Sequence, residues 1–267
     1  MDGFAKYLSA EMSVIQIIWA RYFFMVLFAV PLYLFFAKKK SVLPKNLSIQ
    51  LLRSIFLFLS TICFFYSISV ISLTEALTLA FVYPMLATLL SSVILKEKVD
   101  MKRWLAVIIG FVGALIVLRP GFDIINLASL AGLGTGLAYA LYIISTKKIS
   151  NDNPYLTLTF SGIVGAIIIT ILLPFVWIAP TYAQWLIMIA LASCGTLGHF
   201  FLILSLKYAD ASKLAPLGYF EIVTNIIIAY YFFDDFPDFW IWLGLIIIVL
   251  SGIYISLNAN IKNKIGT

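Results

Sequence analysis

The sequence predicts an all-α integral membrane protein, a ten-helix bundle of two inverted five-helix repeats in which helix 1 is truncated and nine spans are complete. Three observations lead to this fold class. Of the 267 residues, 63% are hydrophobic and only 11% are charged, against about 45–50% and about 25% in soluble domains. The apolar residues form runs long enough to cross a bilayer, and the basic residues cluster in the short segments between them. Such a surface must face lipid.

The individual helices follow from the apolar runs, each of which approaches the roughly 20 residues that a membrane span requires. Short segments rich in Lys, Gly, Pro, Asn and Asp separate the runs. The predicted spans are residues 13–37, 50–70, 74–95, 103–118, 126–146, 154–178, 183–206, 212–233 and 239–257.

A stub at residues 1–9 resembles the end of a helix, but it covers only about 14 Å of a hydrocarbon core about 30 Å thick. Counted as helix 1, it aligns with helix 6 at a shift of 141 residues, which places Lys6 on Lys147. Helix 6 runs its full length before Lys147. We therefore predict that Met1 is an internal or misassigned start, and that about 15 further apolar residues precede it in the working protein.

The basic residues predict the orientation of the chain in the membrane. If the helices alternate, the connections after helices 2, 4, 6 and 8 and the C-terminal tail carry 15 of the 18 basic residues, Arg53 among them. The opposite side carries 2, Lys6 and Arg119, and Arg21 lies inside helix 2. Because basic residues concentrate in cytoplasmic loops, we expect a multi-pass protein of the cell (inner) membrane with a cytoplasmic C-terminus. This clustering accounts for the net charge of +6 without a nucleic-acid partner.

A weak internal repeat divides the chain. A shift of 137 residues places Ser72–Leu77 on Ala209–Leu214 and Glu97 on Asp234. Because a five-helix unit contains an odd number of spans, a tandem copy inserts with the opposite orientation, as in many alternating-access transporters. We expect the first repeat at 1–121, the second repeat at 122–258 and a cytoplasmic tail at 259–267.

Motifs in the first half resemble the EamA-type transporters of the drug/metabolite transporter superfamily. They are Phe81–Leu90 (FVYPMLATLL), Lys96–Val99 (KEKV), Trp104–Gly113 (WLAVIIGFVG) and Arg119–Gly121 (RPG). In the second half, Tyr219-Phe220-Glu221 followed by Asp234 matches less closely. The resemblance implies ten helices around a central cavity and secondary transport of a small polar organic metabolite by alternating access. Amino-acid-like compounds, nucleoside-like compounds such as S-adenosylmethionine, and vitamins all fit that family.

Ionisable side chains inside the apolar runs are the candidate substrate-binding residues, because burying charge in a bilayer is costly. Glu221, four residues before Asn225 on the same helix face, is expected to line the cavity, with a structural hydrogen bond between helices as the alternative. Glu75 lies near the outer end of helix 4, where solvation explains it equally well. For Arg21, substrate contact, an ion pair with a carboxylate and snorkelling to the headgroups all stay open. His199, the one histidine, fits a packed hydrogen-bonded side chain better than a proton relay.

Aromatic residues and helix breakers complete the predicted site. Tyr83 and Tyr139 are expected to offer phenol groups or stacking faces to the substrate. Pro84, Pro174 and Pro216 interrupt helices 4, 7 and 9 and free backbone carbonyls there. Several glycines of helices 6 and 7 are expected to let neighbouring helices approach closely: Gly132, Gly134, Gly136, Gly162 and Gly165.

No cofactor and no enzyme activity are expected. The chain has no phosphate-binding Gly-Lys-Ser/Thr loop, and one histidine with two separated cysteines does not form a metal or thiol site. Both thiols, Cys63 and Cys194, are expected to be reduced and buried. The expected partners are the lipid bilayer, a small-molecule substrate and protons as a coupling ion through Glu221. A monomer and a homodimer stay open.

Two other functions compete with transport. An integral-membrane enzyme acting on lipids would need a constellation of polar residues at one interface, and the acidic turn at Asp234–Asp238 is the only candidate. A non-transporting scaffold or receptor would need no charge at the midplane. Glu221 therefore favours transport over both.

Overall fold

The computed structural model describes residues 1–37, 44–94, 101–118, 126–208 and 219–265. All regular elements in these ranges are helical, in agreement with the predicted all-α class. The helices are α1 Asp2–Ser9, α2 Val14–Phe36, α3 Leu47–Val70, α4 Leu73–Ala80, α5 Tyr83–Ile94, α6 Met101–Leu118, α7 Leu127–Lys148, α8 Pro154–Leu172, α9 Tyr182–Tyr208, α10 Tyr219–Phe233 and α11 Phe239–Ile265.

Within these ranges, 5 helices are long and apolar enough to cross a membrane: α2, α3, α7, α9 and α8 with the 3-10 turn that follows it. Helix α11 continues to Ile265, into the segment predicted to be the tail. The first part of the predicted span 212–233, including Pro216, lies outside the described residues.

Side-chain caps explain where several helices begin. An oxygen of each capping residue accepts a hydrogen bond from a backbone N–H of the first turn, which has no partner within the helix. These residues are Asn46 for α3, Ser72 for α4, Asn126 for α7 and Asn153 for α8.

The cap at Asn46 corrects one prediction. It begins α3 at Leu47, three residues before the predicted start at 50, so that Arg53 is the seventh residue of the helix, about 9 Å along its axis. The Arg53 side chain is fully buried. The assignment of Arg53 to the cytoplasmic connection is therefore wrong, and a second arginine lies inside the bundle.

The predicted fourth helix is broken at Pro84, as expected. Helix α4 ends at Ala80 and α5 begins at Tyr83, because proline has no N–H to continue the ladder. The hydrogen bonding restarts when the N–H groups of Met85 and Leu86 donate to the carbonyl of Val82. Pro174 likewise ends α8 in a 3-10 turn, Leu173–Phe175.

The helices pair as two inverted repeats require. With a two-fold axis in the membrane plane, equivalent helices of the two units meet, and every unlike pair occurs twice. Helix α2 packs on α8 and α6 packs on α11, and each pair joins equivalent helices. The contact of α2 with α9 corresponds to that of α3 with α8, and the contact of α3 with α7 corresponds to that of α1 with α9.

Most of the predicted glycines lie where helices touch. An added Cβ at Gly136 would stand 2.8 Å from the carbonyl oxygen of Ala80, and one at Gly165 would overlap the Tyr22 ring. Gly132 and Gly162 are similarly confined, whereas Gly134 has only an ordinary contact, 3.5 Å to the Cys63 sulfur. Close approach is thus confirmed for four of the five.

The two cysteines do not follow the prediction that both are buried. Cys194 is exposed on α9 and Cys63 is half-buried in α3. The prediction is wrong because an apolar run in a membrane protein can face lipid, so that apolar surroundings do not imply burial in protein.

Contacts at the two ends of the bundle follow the alternation of the helices. At one end, here called the Lys6 end, the Lys6 ammonium donates to the carbonyls of Ile68 and Ile71 at the end of α3, at 2.6 and 2.9 Å. At the opposite end, the Lys147 end, the Lys147 ammonium donates to the carbonyl of Leu206 at the end of α9, at 3.2 Å. The two lysines aligned by the shift of 141 residues therefore cap equivalent helices at opposite ends.

Candidate functional site

Arg21 is the eighth residue of α2, and its guanidinium is held by neutral partners. Its Nη1 donates to the Thr61 hydroxyl of α3 at 2.6 Å, and its Nη2 lies 2.7 Å from His199 Nε2 of α9. Its Nε is buried and has no hydrogen-bond partner. With Arg21 only 4% exposed, snorkelling to the headgroups is excluded for this conformation.

The hydroxyl of Thr61 is oriented by its surroundings. It donates to the carbonyl of Leu57 at 2.9 Å, so it accepts from both Arg21 and the Tyr22 hydroxyl, which lies 3.0 Å away. The Tyr22 ring packs against Gly165 of α8, where a side chain would displace it. A glycine predicted from the sequence to permit close packing thus positions, through Tyr22, the hydroxyl that holds Arg21.

The protonation state of His199 follows from its neighbours. A guanidinium can only donate, so Nε2 of His199 accepts from Arg21, and the ring proton is on Nδ1. Nδ1 lies 3.4 Å from the Tyr142 hydroxyl of α7, to which it donates. His199 is therefore neutral and hydrogen-bonded on both nitrogens, which agrees with the simpler of the two predicted roles.

Arg53 connects α3 to α7 and α8. Its Nε donates to the Thr146 hydroxyl at 2.7 Å, its Nη1 to the Ser161 hydroxyl at 2.7 Å, and its Nη2 to the Tyr142 hydroxyl at 3.1 Å. Nη1 also donates to the carbonyl of Thr157 at 3.1 Å. All three nitrogens have an acceptor, so Arg53 holds three helices together.

The two arginines belong to one chain of hydrogen bonds, here called the central network, which consists of Arg53, Tyr142, His199, Arg21 and Thr61. It crosses α2, α3, α7 and α9. Among the described residues, no carboxylate forms an ion pair with Arg21 or Arg53. An ion pair, one of the three roles left open for Arg21, is therefore absent from this conformation.

A pair of carboxyl groups lies between α1 and α10. The Glu221 carboxyl is hydrogen-bonded to that of Asp2, and a hydrogen bond between two carboxyl groups requires a proton on one of them. The Asn225 amide donates to Asp2 Oδ2 at 3.3 Å and to the Glu221 carbonyl at 3.0 Å. Asp2 Oδ1 is buried without a hydrogen-bond partner, whereas Glu221 keeps exposed surface. Asp2 and Glu221 are called the carboxyl pair below.

The predicted tyrosines lie between these two groups of residues. The Tyr139 ring packs edge-on against Tyr83, with centroids 5.1 Å apart, and stacks on Tyr142 at 5.6 Å. Tyr139 is close enough to both Glu221 and Arg21 for their charges to act on it. Tyr83 and Tyr139 are half-buried and present ring faces beside the central network.

Glu75 lies apart from the central network. It is in the first turn of α4 and accepts a hydrogen bond from the Ser129 hydroxyl of α7 at 3.1 Å. The preceding residue, Thr74, lies 3.4 Å from the Asp235 carboxylate, in the turn after α10. These contacts place Glu75 at the Lys6 end, in a link between helices.

The sequence analysis did not single out Arg53, Asp2 or Thr61. For Arg53, the available signal was Asn46, a good helix cap six residues before the start of the second helical turn that carries the arginine. Asp2 was passed over because it lies in a stub too short to span. Thr61 carries no charge and occupies an apolar run, so nothing in its pattern distinguished it.

Comparison with known proteins identifies relatives over most of the chain. The EamA-like transporter family matches residues 3–119 and again residues 126–257. An S-adenosylmethionine uptake transporter of Rickettsia bellii is 28% identical over 95% of this chain and 87% of that protein. A riboflavin transporter of Vibrio cholerae is 32% identical over 68% of this chain and 62% of that protein. A solved crystal structure covering 96% of this chain and 92% of its own has the same fold, with a TM-score of 0.73 at 16% identity.

Proposed function

The chain belongs to the EamA-like transporter family and is a transporter of small metabolites, and we propose that a polar organic metabolite binds at the centre of its bundle. One observation supports this location above the others. Arg21 is buried among helices of both repeats with neutral partners only, and one of its N–H groups has no acceptor. A buried cation without a counter-charge is costly unless a ligand supplies one.

We propose that the substrate contacts side chains from both repeats. Arg21 and His199 bind it from α2 and α9, Tyr83 and Tyr139 offer ring faces, and Glu221 with Asn225 binds it from α10. Since these helices belong to different repeats, a rocking movement of one repeat against the other would expose the substrate to each side in turn. We assign Glu75 to the mouth of the path, because its link to Ser129 lies at the Lys6 end.

Protons are the proposed coupling ion. The carboxyl pair already holds one shared proton in this conformation, and exposed surface on Glu221 offers a route for its exchange. Among the substrates named for relatives, S-adenosylmethionine and riboflavin are the first candidates for this chain. The family match indicates a transporter, and no enzyme activity on lipids is proposed.

We propose repeat boundaries at 1–121 and 122–258 with a tail at 259–267, and an inner-membrane protein whose Lys147 end and C-terminus are cytoplasmic. The basic residues of the connecting segments support this orientation. The helix pairing supports the two repeats.

The orientation predicts which introduced cysteines react from outside. In a variant whose Cys63 and Cys194 are replaced with serine, Tyr182→Cys at the start of α9, 80% exposed, should react with a membrane-impermeant maleimide added to intact cells. Lys148→Cys, at the exposed end of α7, should react only after permeabilisation. The reverse pattern would overturn the orientation. Removing Cys194 first is essential, since it is itself exposed.

Transport itself is tested with purified protein in liposomes. Labelled S-adenosylmethionine, riboflavin and methionine are offered outside, with the unlabelled compound inside, with and without a pH gradient. We expect counterflow of at least one compound above that of protein-free liposomes, and an effect of the gradient on its net uptake. Absence of counterflow for every compound would contradict transport through this site.

A further inference from the structure

We propose that the central site takes a zwitterion, whose anionic group binds Arg21 and whose cationic group binds the carboxyl pair of Asp2 and Glu221. The inference rests on the proposed function, because it concerns the same site. It adds the charge pattern of the substrate, which neither the family nor the relatives determine.

The first half of the pattern is an unused donor. Arg21 Nε is buried without a partner, although the two other nitrogens of the guanidinium are occupied by neutral groups. A carboxylate is the preferred partner of a guanidinium and forms stronger hydrogen bonds than neutral acceptors. Gly195 of α9 keeps the space beside Nε free of a side chain, since an added Cβ would stand 3.7 Å from that atom.

The second half is an unused acceptor of opposite charge. Asp2 is 4% exposed, and its Oδ1 has no hydrogen-bond partner, while Asn225 occupies Oδ2. The carboxyl pair shares one proton and so keeps one negative charge. An ammonium or another organic cation would satisfy both the free oxygen and that charge.

The unused donor and the unused acceptor are near each other along the chain and in space. A Cβ added at Gly195 would contact both the Met1 side chain, at 2.7 Å, and Arg21 Nε, so the residue next to Asp2 adjoins the arginine. Tyr139 is within reach of the charges of Arg21 and Glu221. An anionic and a cationic group on one small head, as in an α-amino acid, fit this arrangement.

The opposite charges do not neutralise each other because each is held elsewhere. Thr61 and His199 bind Arg21, and Asn225 binds Asp2. Such fixed and separated charges are prepared for a ligand that matches both. A ligand with one charge would leave the other group of the site buried and unpaired, which provides discrimination.

Binding to the purified full chain in detergent tests the charge pattern directly. The first probes are methionine, methioninamide, which lacks the anionic group, and 4-(methylthio)butanoate, which lacks the cationic group. The second set is S-adenosylmethionine and its decarboxylated form. By calorimetry, we expect at least one zwitterion to bind about 10- to 100-fold more tightly than its single-charge analogues. Equal binding of the analogues, or binding of no zwitterion in either set, would overturn the inference.

Variants assign each charge to its residue. Arg21→Gln should lower affinity for the bound zwitterion about 10- to 100-fold and remove its advantage over the analogue without a carboxylate. Asp2→Asn should remove the advantage over the analogue without a cation. Arg21→Lys, which keeps the charge, is a second variant should the glutamine protein fail to fold. Ser193→Ala is the control on α9, because its hydroxyl donates only to its own helix, to the carbonyl of Ile189 at 2.7 Å.

The binding and transport results separate the two proposals. Transport of riboflavin without binding of any zwitterion would retain the transport function and reject the zwitterion. Binding of a zwitterion with the expected charge dependence, but without counterflow, would retain the charge pattern and reject transport through the site.

Discussion

Replacing Arg53 with lysine is expected to destabilise the protein more than replacing it with methionine. Lysine keeps a buried charge but cannot reach the acceptors on α7 and α8 that the three guanidinium nitrogens reach together. Losing one or two charge-assisted hydrogen bonds around a charge that stays buried should lower the free energy of unfolding by about 2–4 kcal/mol. The change is measured as a lower melting temperature in detergent.

Methionine removes the charge and leaves few orphaned groups. The hydroxyls of Thr146 and Ser161 still donate to carbonyls of their own helices, at 2.6 and 3.1 Å, and Tyr142 keeps its contact with His199. We therefore expect a loss of about 1–2 kcal/mol. Lys148→Met, an exposed basic residue at the end of α7, is the control and should leave the melting temperature unchanged. A methionine variant less stable than the lysine variant would show that the Arg53 site is not dry.

Glu221→Gln is expected to abolish the response of transport to a pH gradient. The glutamine amide can donate the hydrogen bond to Asp2 that the shared proton now supplies, so the geometry is kept while the exchangeable proton is lost. Net uptake driven by the gradient should fall by about tenfold or more, the effect of losing one charge-assisted interaction. Counterflow of unlabelled against labelled substrate, which needs no proton, should persist at a reduced rate.

Two variants calibrate this experiment. Asp2→Asn should have the same effect, because either carboxyl is needed to share the proton. Tyr230→Phe, on the same helix and 50% exposed, retains its ring contacts with Tyr231 and Phe236 and should transport as the unaltered protein does. Full dependence on the gradient in the Glu221 variant would exclude the carboxyl pair as the coupling group.

Much of the fold was predictable because it depends on local sequence. Apolar runs determine which segments become membrane helices, Pro84 lacks the N–H that an unbroken helix needs, and Gly136 and Gly165 lie where helices touch. The start of α3 was missed by three residues, although Asn46 is a good cap. That small error changed the interpretation of Arg53 from a topology signal to a buried anchor.

The site was less predictable because its contacts join distant parts of the chain. Arg21 and His199 are 178 positions apart, and Asn225 and Asp2 are 223 positions apart. Hydrophobic periodicity identifies a helix but does not specify which neighbour its polar face meets. Thus five of the predicted ionisable and amide residues were found singly, while their grouping, and the participation of Asp2, required the structure.

Lys6 shows how duplication of an ancestral unit constrains later evolution. A duplicated unit of five helices carries each of its residues to both faces of the membrane, so a lysine that caps a helix on the cytoplasmic face reappears, in the other copy, on the external face. Selection on orientation would remove it there, but its ammonium occupies two carbonyls at the end of α3, which its loss would leave without a donor. The charge asymmetry that orients the protein had therefore to evolve at positions free of such a duty, in the loops, while Lys6 was retained as an inherited structural part.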